Sequence, residues 1–149
     1  MKIKIKICGI SDHNTMSTVS NLKLDYVGLV FFEKSPRNIT IDKAQSLIKC
    51  LNYKTKIVAL TVNANDQYLR NIVTHLSPDY LQLHGEESPY RCYEIKRKFK
   101  TKIVKAISAK SSRNLNIEIN KYKFVTDRII IDSPKDNLPG GNGKTFNWK

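Results

Sequence analysis

Cys8 and Asp132 lie near opposite ends of the 149-residue chain, each at the close of a strand-like run where a side chain can meet a ligand. Cys8 stands in Lys6-Ile-Cys-Gly-Ile10. A thiol there can act as base or nucleophile; the alternative is a small buried hydrophobe. Gly9 tolerates the backbone of a sharp exit. Lys6 shares the parity of Cys8, so its ammonium should point the same way and favour a thiolate. Alternatively, Lys2, Lys4 and Lys6 guard an exposed strand edge. Asp132 closes Asp127-Arg-Ile-Ile-Ile131. A partly desolvated carboxyl can hold a proton near neutral pH and serve as general acid, or equally be a cap or turn former. Between the two, Arg37 follows Ser35-Pro36, Asn63 follows Thr61-Val62, and His84 precedes Gly85. Beyond Asp132, Gly141 and Gly143 lie in a loop whose amides can meet an anion. Gly143-Lys144-Thr145 has the end of a phosphate-loop motif, but Leu138 takes the place of its first glycine and no strand directly precedes it. The nucleotide reading therefore fails.

Such residues need elements to hold them, and the chain supplies strands alternating with helices. Met1 to Ile7 alternates methionine or isoleucine with lysine, a period of two. Asp25 to Phe32 is almost continuously apolar, as in a parallel strand buried on both faces. Further strands are expected over 56–62, 78–83, 102–107 and 127–131. Helices are expected over 15–22, 43–51, 66–76, 88–99 and 115–122, with caps at Ser11 to Asn14 and at Thr40 or Asp42, and Pro89 in a first turn. In an alternating α/β protein the ligand sits at the carboxyl ends of the strands. Cys8, Arg37, Asn63, His84 and Asp132 all fall there. Either a (β/α)8 barrel or a doubly wound sheet accommodates the pattern, although no GxGxxG follows the first strand.

Composition narrows the function. The hydrophobic fraction of 40% suits one soluble domain over residues 1–149. No apolar run reaches the length of a membrane span and no signal segment is visible, so a cytoplasmic protein is expected. Cys8, Cys50 and Cys92 form no CxxC pair, and His13, His75 and His84 lack metal-ligand spacing, which argues against a disulfide framework or a zinc site. Lys plus Arg number 26 against 13 Asp plus Glu, net +13, which calls for an anionic partner. The run Lys96 to Lys102 reads as a solvated helix end rather than a nucleic-acid patch.

Lys6-Ile-Cys-Gly-Ile10, Val27-Gly-Leu-Val-Phe31, Ser35-Pro-Arg37, Leu81-Gln-Leu-His-Gly-Glu86, Lys105-Ala-Ile107, Ile131-Asp132 and Gly140-Gly-Asn-Gly-Lys-Thr-Phe-Asn-Trp148 together resemble the ordered motifs of the phosphoribosylanthranilate isomerase family of tryptophan biosynthesis. The resemblance covers the whole chain. It implies a (β/α)8 TIM barrel without cofactor or metal, acting on a phosphorylated, anionic small molecule and requiring neither membrane nor nucleic acid. The reaction is an Amadori rearrangement of N-(5-phosphoribosyl)anthranilate to 1-(2-carboxyphenylamino)-1-deoxyribulose 5-phosphate. Carried over residue by residue, Cys8 is the general base and Asp132 the general acid. Arg37 serves the anthranilate carboxylate, His84 is a pocket wall, and Gly141 and Gly143 belong to the substrate loop.

The sequence departs from the family at Asn142, where Thr or Ser is usual, and at Thr61, where Phe is common. It also stops at Lys149, as a sixth helix begins. An incomplete barrel of six β/α units is therefore expected, without strands seven and eight and the phosphate-binding loops that follow them. Losing two charge-assisted hydrogen bonds at about 1.5 to 3 kcal/mol each would lower kcat/KM by roughly a hundred to ten-thousand-fold. An inactive or strongly impaired remnant is the alternative reading. Open barrel edges would invite self-association.

Overall fold

The computed structural model describes residues 3–51, 54–108 and 112–133. The elements are β1 (Lys6–Cys8), α1 (His13–Asn21), β2 (Tyr26–Phe31), α2 (Ile41–Ile48), β3 (Lys56–Thr61), α3 (Asp66–Leu76), β4 (Tyr80–Leu83), α4 (Pro89–Phe99), β5 (Lys102–Ser108), α5 (Ser112–Tyr122) and β6 (Arg128–Asp132). All six strands are parallel and lie side by side in chain order. Each β/α unit therefore adds one strand to the same edge, as in a (β/α)8 barrel, and not on alternating sides as in a doubly wound sheet.

The sheet is curled. Neighbouring strands are about 4.8 Å apart, so β2 and β6 would be roughly 19 Å apart in a flat sheet. Yet the Arg128 guanidinium on β6 lies 5.2 Å from the Tyr26 ring on β2 and 5.3 Å from the Tyr80 ring on β4. Tyr26, Val58, Tyr80 and Val104 pack together on the concave face. The convex face carries the larger core, in which Val27, Leu29, Phe31, Ala59, Leu81 and Ile103 meet Met16, Leu47, Leu69, Ile72 and Ile95 from the helices. Apolar side chains on both faces of β2 and β3 are what their unbroken hydrophobic runs require.

A small device sets the register at the amino ends of the strands. Asp25, Asp79 and Asp127 each stand just before an even-numbered strand. Each accepts a backbone N–H from the preceding odd-numbered strand segment: Ile5 at 3.0 Å, Ile57 at 2.9 Å and Ile103 at 2.8 Å. The strands thus repeat in pairs, with a carboxylate pinning each pair.

Helix starts follow their caps. Asp12, Thr40, Asn65 and Ser88 each accept the amide three residues on, from Thr15, Lys43, Tyr68 and Arg91. The caps move two starts earlier than periodicity suggests, to His13 and Ile41, and α2 ends at Ile48 rather than Leu51. The first strand is also shorter than the alternation from Met1 to Ile7. Ahead of Lys6, Ile5 O accepts the Tyr26 amide at 3.1 Å, while Ile3 is 83% exposed. In α5 the helix begins at Ser112, three residues before the apolar period starts.

Candidate functional site

Strand parity decides which side chains enter the concave face. Lys6 pairs with Tyr26 and Cys8 with Gly28. Gln82 pairs with Leu60 and Val104, and Asp132 with Ser108. Lys6, Cys8, Gln82, His84 and Asp132 consequently line one open pocket at the carboxyl ends of the strands, with a volume of about 260 Å³ and Arg37 at its rim. The structure brings together four of the six residues expected at the site: Cys8, Arg37, His84 and Asp132. Gly141 and Gly143 lie outside the described residues.

Cys8 is half-buried. Room for its sulfur comes from the next strand, since a Cβ on Gly28 would come within 2.5 Å of Sγ. Gly9 turns the chain away with φ of 85°, and its amide donates to Gly28 O at 2.8 Å. Arg37 lies across Gly9, where a Cβ would meet the arginine Cδ at 2.5 Å, and its Nη1 donates to Cys8 O at 3.2 Å. The residue is otherwise exposed at the rim of the pocket. Its loop is held by Asn38, whose side-chain oxygen accepts the Phe32 amide at 2.8 Å.

Lys6 points the same way as Cys8, as parity predicts. Burial pushes its ammonium below the ordinary 10.5, while the charge of Cys8 and a hydrogen bond to it pull the other way. Its Nζ donates to Oε1 of Gln82 on β4. Gln82 in turn reaches His84, Nε2 to Nδ1 at 3.2 Å, and His84 Nε2 meets Asp132 Oδ2 at 3.0 Å. Asp132 Oδ1 accepts the Ser133 amide at 2.8 Å. Burial lowers the His84 imidazole from its ordinary 6.5; Asp132 opposes this, while Lys105 and Lys6 add to it.

Gln82 was not among the residues expected here, though its signal was available. It is a polar side chain inside the apolar run Tyr80 to Leu83, two positions before His84 and so on the same face. His84 is more than a wall, because it is bonded to the carboxylate expected to act as acid. Asn63 does not join the pocket chemistry. Its backbone, at φ 48°, donates to Glu87 Oε1 at 2.8 Å, and its side-chain oxygen accepts the Glu86 amide at 2.7 Å. It braces the loops after β3 and β4.

The basic run lies far along α4 and is engaged locally. Lys96 pairs with Asp127 at 2.9 Å, Lys98 pairs with Asp66, and Arg97 covers the Tyr93 ring. Among the described residues no group of three or more His, Cys, Asp or Glu side chains could hold a metal ion. No described helix is long and apolar enough to cross a membrane.

Comparison with known proteins gives this pocket its context. The family model described as N-(5'phosphoribosyl)anthranilate (PRA) isomerase matches residues 5–149. The chain belongs to this family. The N-(5'-phosphoribosyl)anthranilate isomerase of Agrobacterium fabrum is 42% identical over 151 residues, covering 99% of this chain and 68% of the relative. That of Rhizobium meliloti is 39% identical and covers 100% of this chain and 70% of the relative. The crystal structure of phosphoribosyl anthranilate isomerase from Thermotoga maritima matches with a TM-score of 0.82 and 29% identity, over 99% of this chain and 69% of that one. A further isomerase structure, in complex with reduced 1-(o-carboxyphenylamino)-1-deoxyribulose 5-phosphate, matches with a TM-score of 0.76 and 27% identity over 89% of this chain and 66% of its own. The isomerase family fold, of TIM-barrel type, accounts for six parallel strands in chain order.

Proposed function

We propose that this chain performs the family's reaction, the isomerisation of N-(5-phosphoribosyl)anthranilate in tryptophan biosynthesis, with Cys8 as base and Asp132 as acid. The observation that carries this reading is that the thiol of β1 and the carboxylate of β6 line one pocket, with the Arg37 guanidinium bonded to the Cys8 carbonyl at its rim. An acid and a base acting on one sugar must approach it from different sides, and the first and last strands of a curled sheet provide that separation. Asp132 gives a proton to the ring oxygen as the bond from that oxygen to C1 breaks. The nitrogen lone pair then forms the C=N bond of a Schiff base. The C–H at C2 is acidified by that cation, and Cys8 as thiolate takes its proton. The electron pair forms an enolamine, which gains a proton at C1 and loses the proton of its C2 hydroxyl to become the 2-ketone. Arg37 would hold the anthranilate carboxylate through paired hydrogen bonds.

The substrate is anionic, and a chain of net +13 attracts it from a distance. Gly141 and Gly143 are assigned to the same substrate site by family likeness. Residues 1–149 are read as one domain, and its exposed sheet edges as surfaces for self-association. The test is turnover of the phosphoribosylanthranilate by Cys8→Ala and Asp132→Asn. Removing a general acid or base costs about a hundred to ten-thousand-fold, so each variant should lose at least a hundredfold in kcat. Activity unchanged in both would overturn the assignment.

A further inference from the structure

We propose that Lys6 and Gln82 are positioning residues that lock His84 in the tautomer with its proton on Nε2, so that His84 can give a hydrogen bond to Asp132 but cannot take its proton. The argument rests on donors and acceptors along one chain. A lysine ammonium only donates. Because Lys6 Nζ donates to Gln82 Oε1, the amide nitrogen of Gln82 must be the end that faces His84. An amide N–H₂ donates, so Nδ1 of His84 must be the ring's bare nitrogen. Nε2 then carries the hydrogen, and it points to Asp132 Oδ2 at 3.0 Å. Each orientation is dictated by the one before it, back to a cation that cannot reverse.

This has a consequence for the reaction. A carboxylic acid beside a histidine with a free nitrogen would place its proton on the ring. Here the ring site is filled, and Oδ1 of Asp132 is held by the Ser133 amide. A proton that reaches Asp132 therefore cannot pass to Nε2 of His84. The charged and titratable groups that act on the ring are Asp132 from β6 and Lys6 from β1, with Cys8 next to Lys6, and the charge of Lys105 from β5 behind the sheet. The lowered basicity of His84 fits a ring that stays neutral between them.

The catalytic meaning rests on Asp132 as acid, but the tautomer is measured without substrate. Long-range ¹H–¹⁵N correlation spectra of the ¹⁵N-labelled chain at neutral pH should show His84 with Nε2 protonated and Nδ1 bare. Gln82→Glu places a carboxylate against Nδ1 and should convert the ring to imidazolium. Lys6→Met frees the amide to turn over and should abolish the single tautomer. In turnover, Gln82→Glu should lower kcat by tenfold or more with little change in KM. A ring protonated on Nδ1 in the unmodified protein would overturn the proposal, without any variant needing to fold. So would a Gln82→Glu ring identical to the native one. Loss of turnover with the expected tautomer intact would instead count against the proposed reaction.

Discussion

At the scale of single residues, three cysteines show how placement decides chemistry. Cys50 is exposed on the surface with His13 Nδ1 3.6 Å from its sulfur, Cys8 is half-buried at the pocket, and Cys92 is fully buried in the helix-side core. Burial pushes the Cys92 thiol up to about 11 from 9.0; Glu87 adds to the rise and Lys105 opposes it. A thiolate is what alkylating reagents attack. Iodoacetamide at pH 8 should therefore label the accessible Cys50 and Cys8 in the folded chain, and reach Cys92 only after unfolding. The same shift ties stability to pH. Below pH 9 the thiol is protonated in both states. As pH rises through 9 the unfolded thiol ionises and the folded one does not, so stability falls until about pH 11. The slope is at most about 1.4 kcal/mol per pH unit. Urea unfolding at pH 8 and pH 10.5 should show this loss in the native chain and a smaller loss in Cys92→Val; equal losses would refute it.

At the scale of elements, the loops that carry the site are fastened by a buried ion pair behind the sheet. Lys105 on β5 is 2% exposed. Its Nζ donates to Leu83 O, Gly85 O and Ala106 O and pairs with Glu87 Oε2 at 3.2 Å. Glu87 Oε1 accepts the amides of Asn63 and Gly85, and Tyr122 on α5 donates to Glu87 O. One carboxylate and one ammonium thus join β3, β4, β5 and α5 just below His84. Removing the cation leaves a buried carboxylate unpaired, which costs about 3–5 kcal/mol. Lys105→Met should lower the urea midpoint accordingly, and adding Glu87→Gln should recover part of the loss, because the amide oxygen still accepts both backbone donors. An unchanged midpoint in the single variant would show that the pair contributes nothing.

The same elements mark what sequence could reveal. Among the described residues, periodicity and caps located every strand and helix, because a parallel strand buried on both faces and an amphipathic helix leave opposite hydrophobic patterns. Parity placed Lys6 with Cys8. The polar chain from Lys6 to Asp132 was not legible, since it depends on how far the sheet curls to bring β1 within reach of β4. Lys105 carried a signal of another kind, a charge inside the apolar run Ile103 to Ile107, whose partner Glu87 lies in a loop that no period describes.

For the whole molecule, curvature and charge act in opposite directions on association. Among the described strands β1 and β6 each pair on one side only, so no described strand takes up the backbone donors and acceptors of their outer sides. Beside the β1 edge, Ile3, Ile5 and Ile7 are 83%, 49% and 40% exposed. An edge with an apolar flank is a template for another strand, and a second copy of the 149-residue chain offers one. Against this stands net +13, which repels an identical copy over a Debye length of about 10 Å at 0.1 M salt. Salt removes the repulsion and leaves the apolar attraction intact. Sedimentation equilibrium at roughly 20 mM and 500 mM salt, where screening lengths differ several-fold, should therefore show the average mass rising with salt. Ile5→Lys, which puts a charge on the flank, should hold the chain at monomer mass in both. A mass that stays monomeric at high salt, or that falls as salt rises, would mean that the edges are not the surfaces through which copies meet.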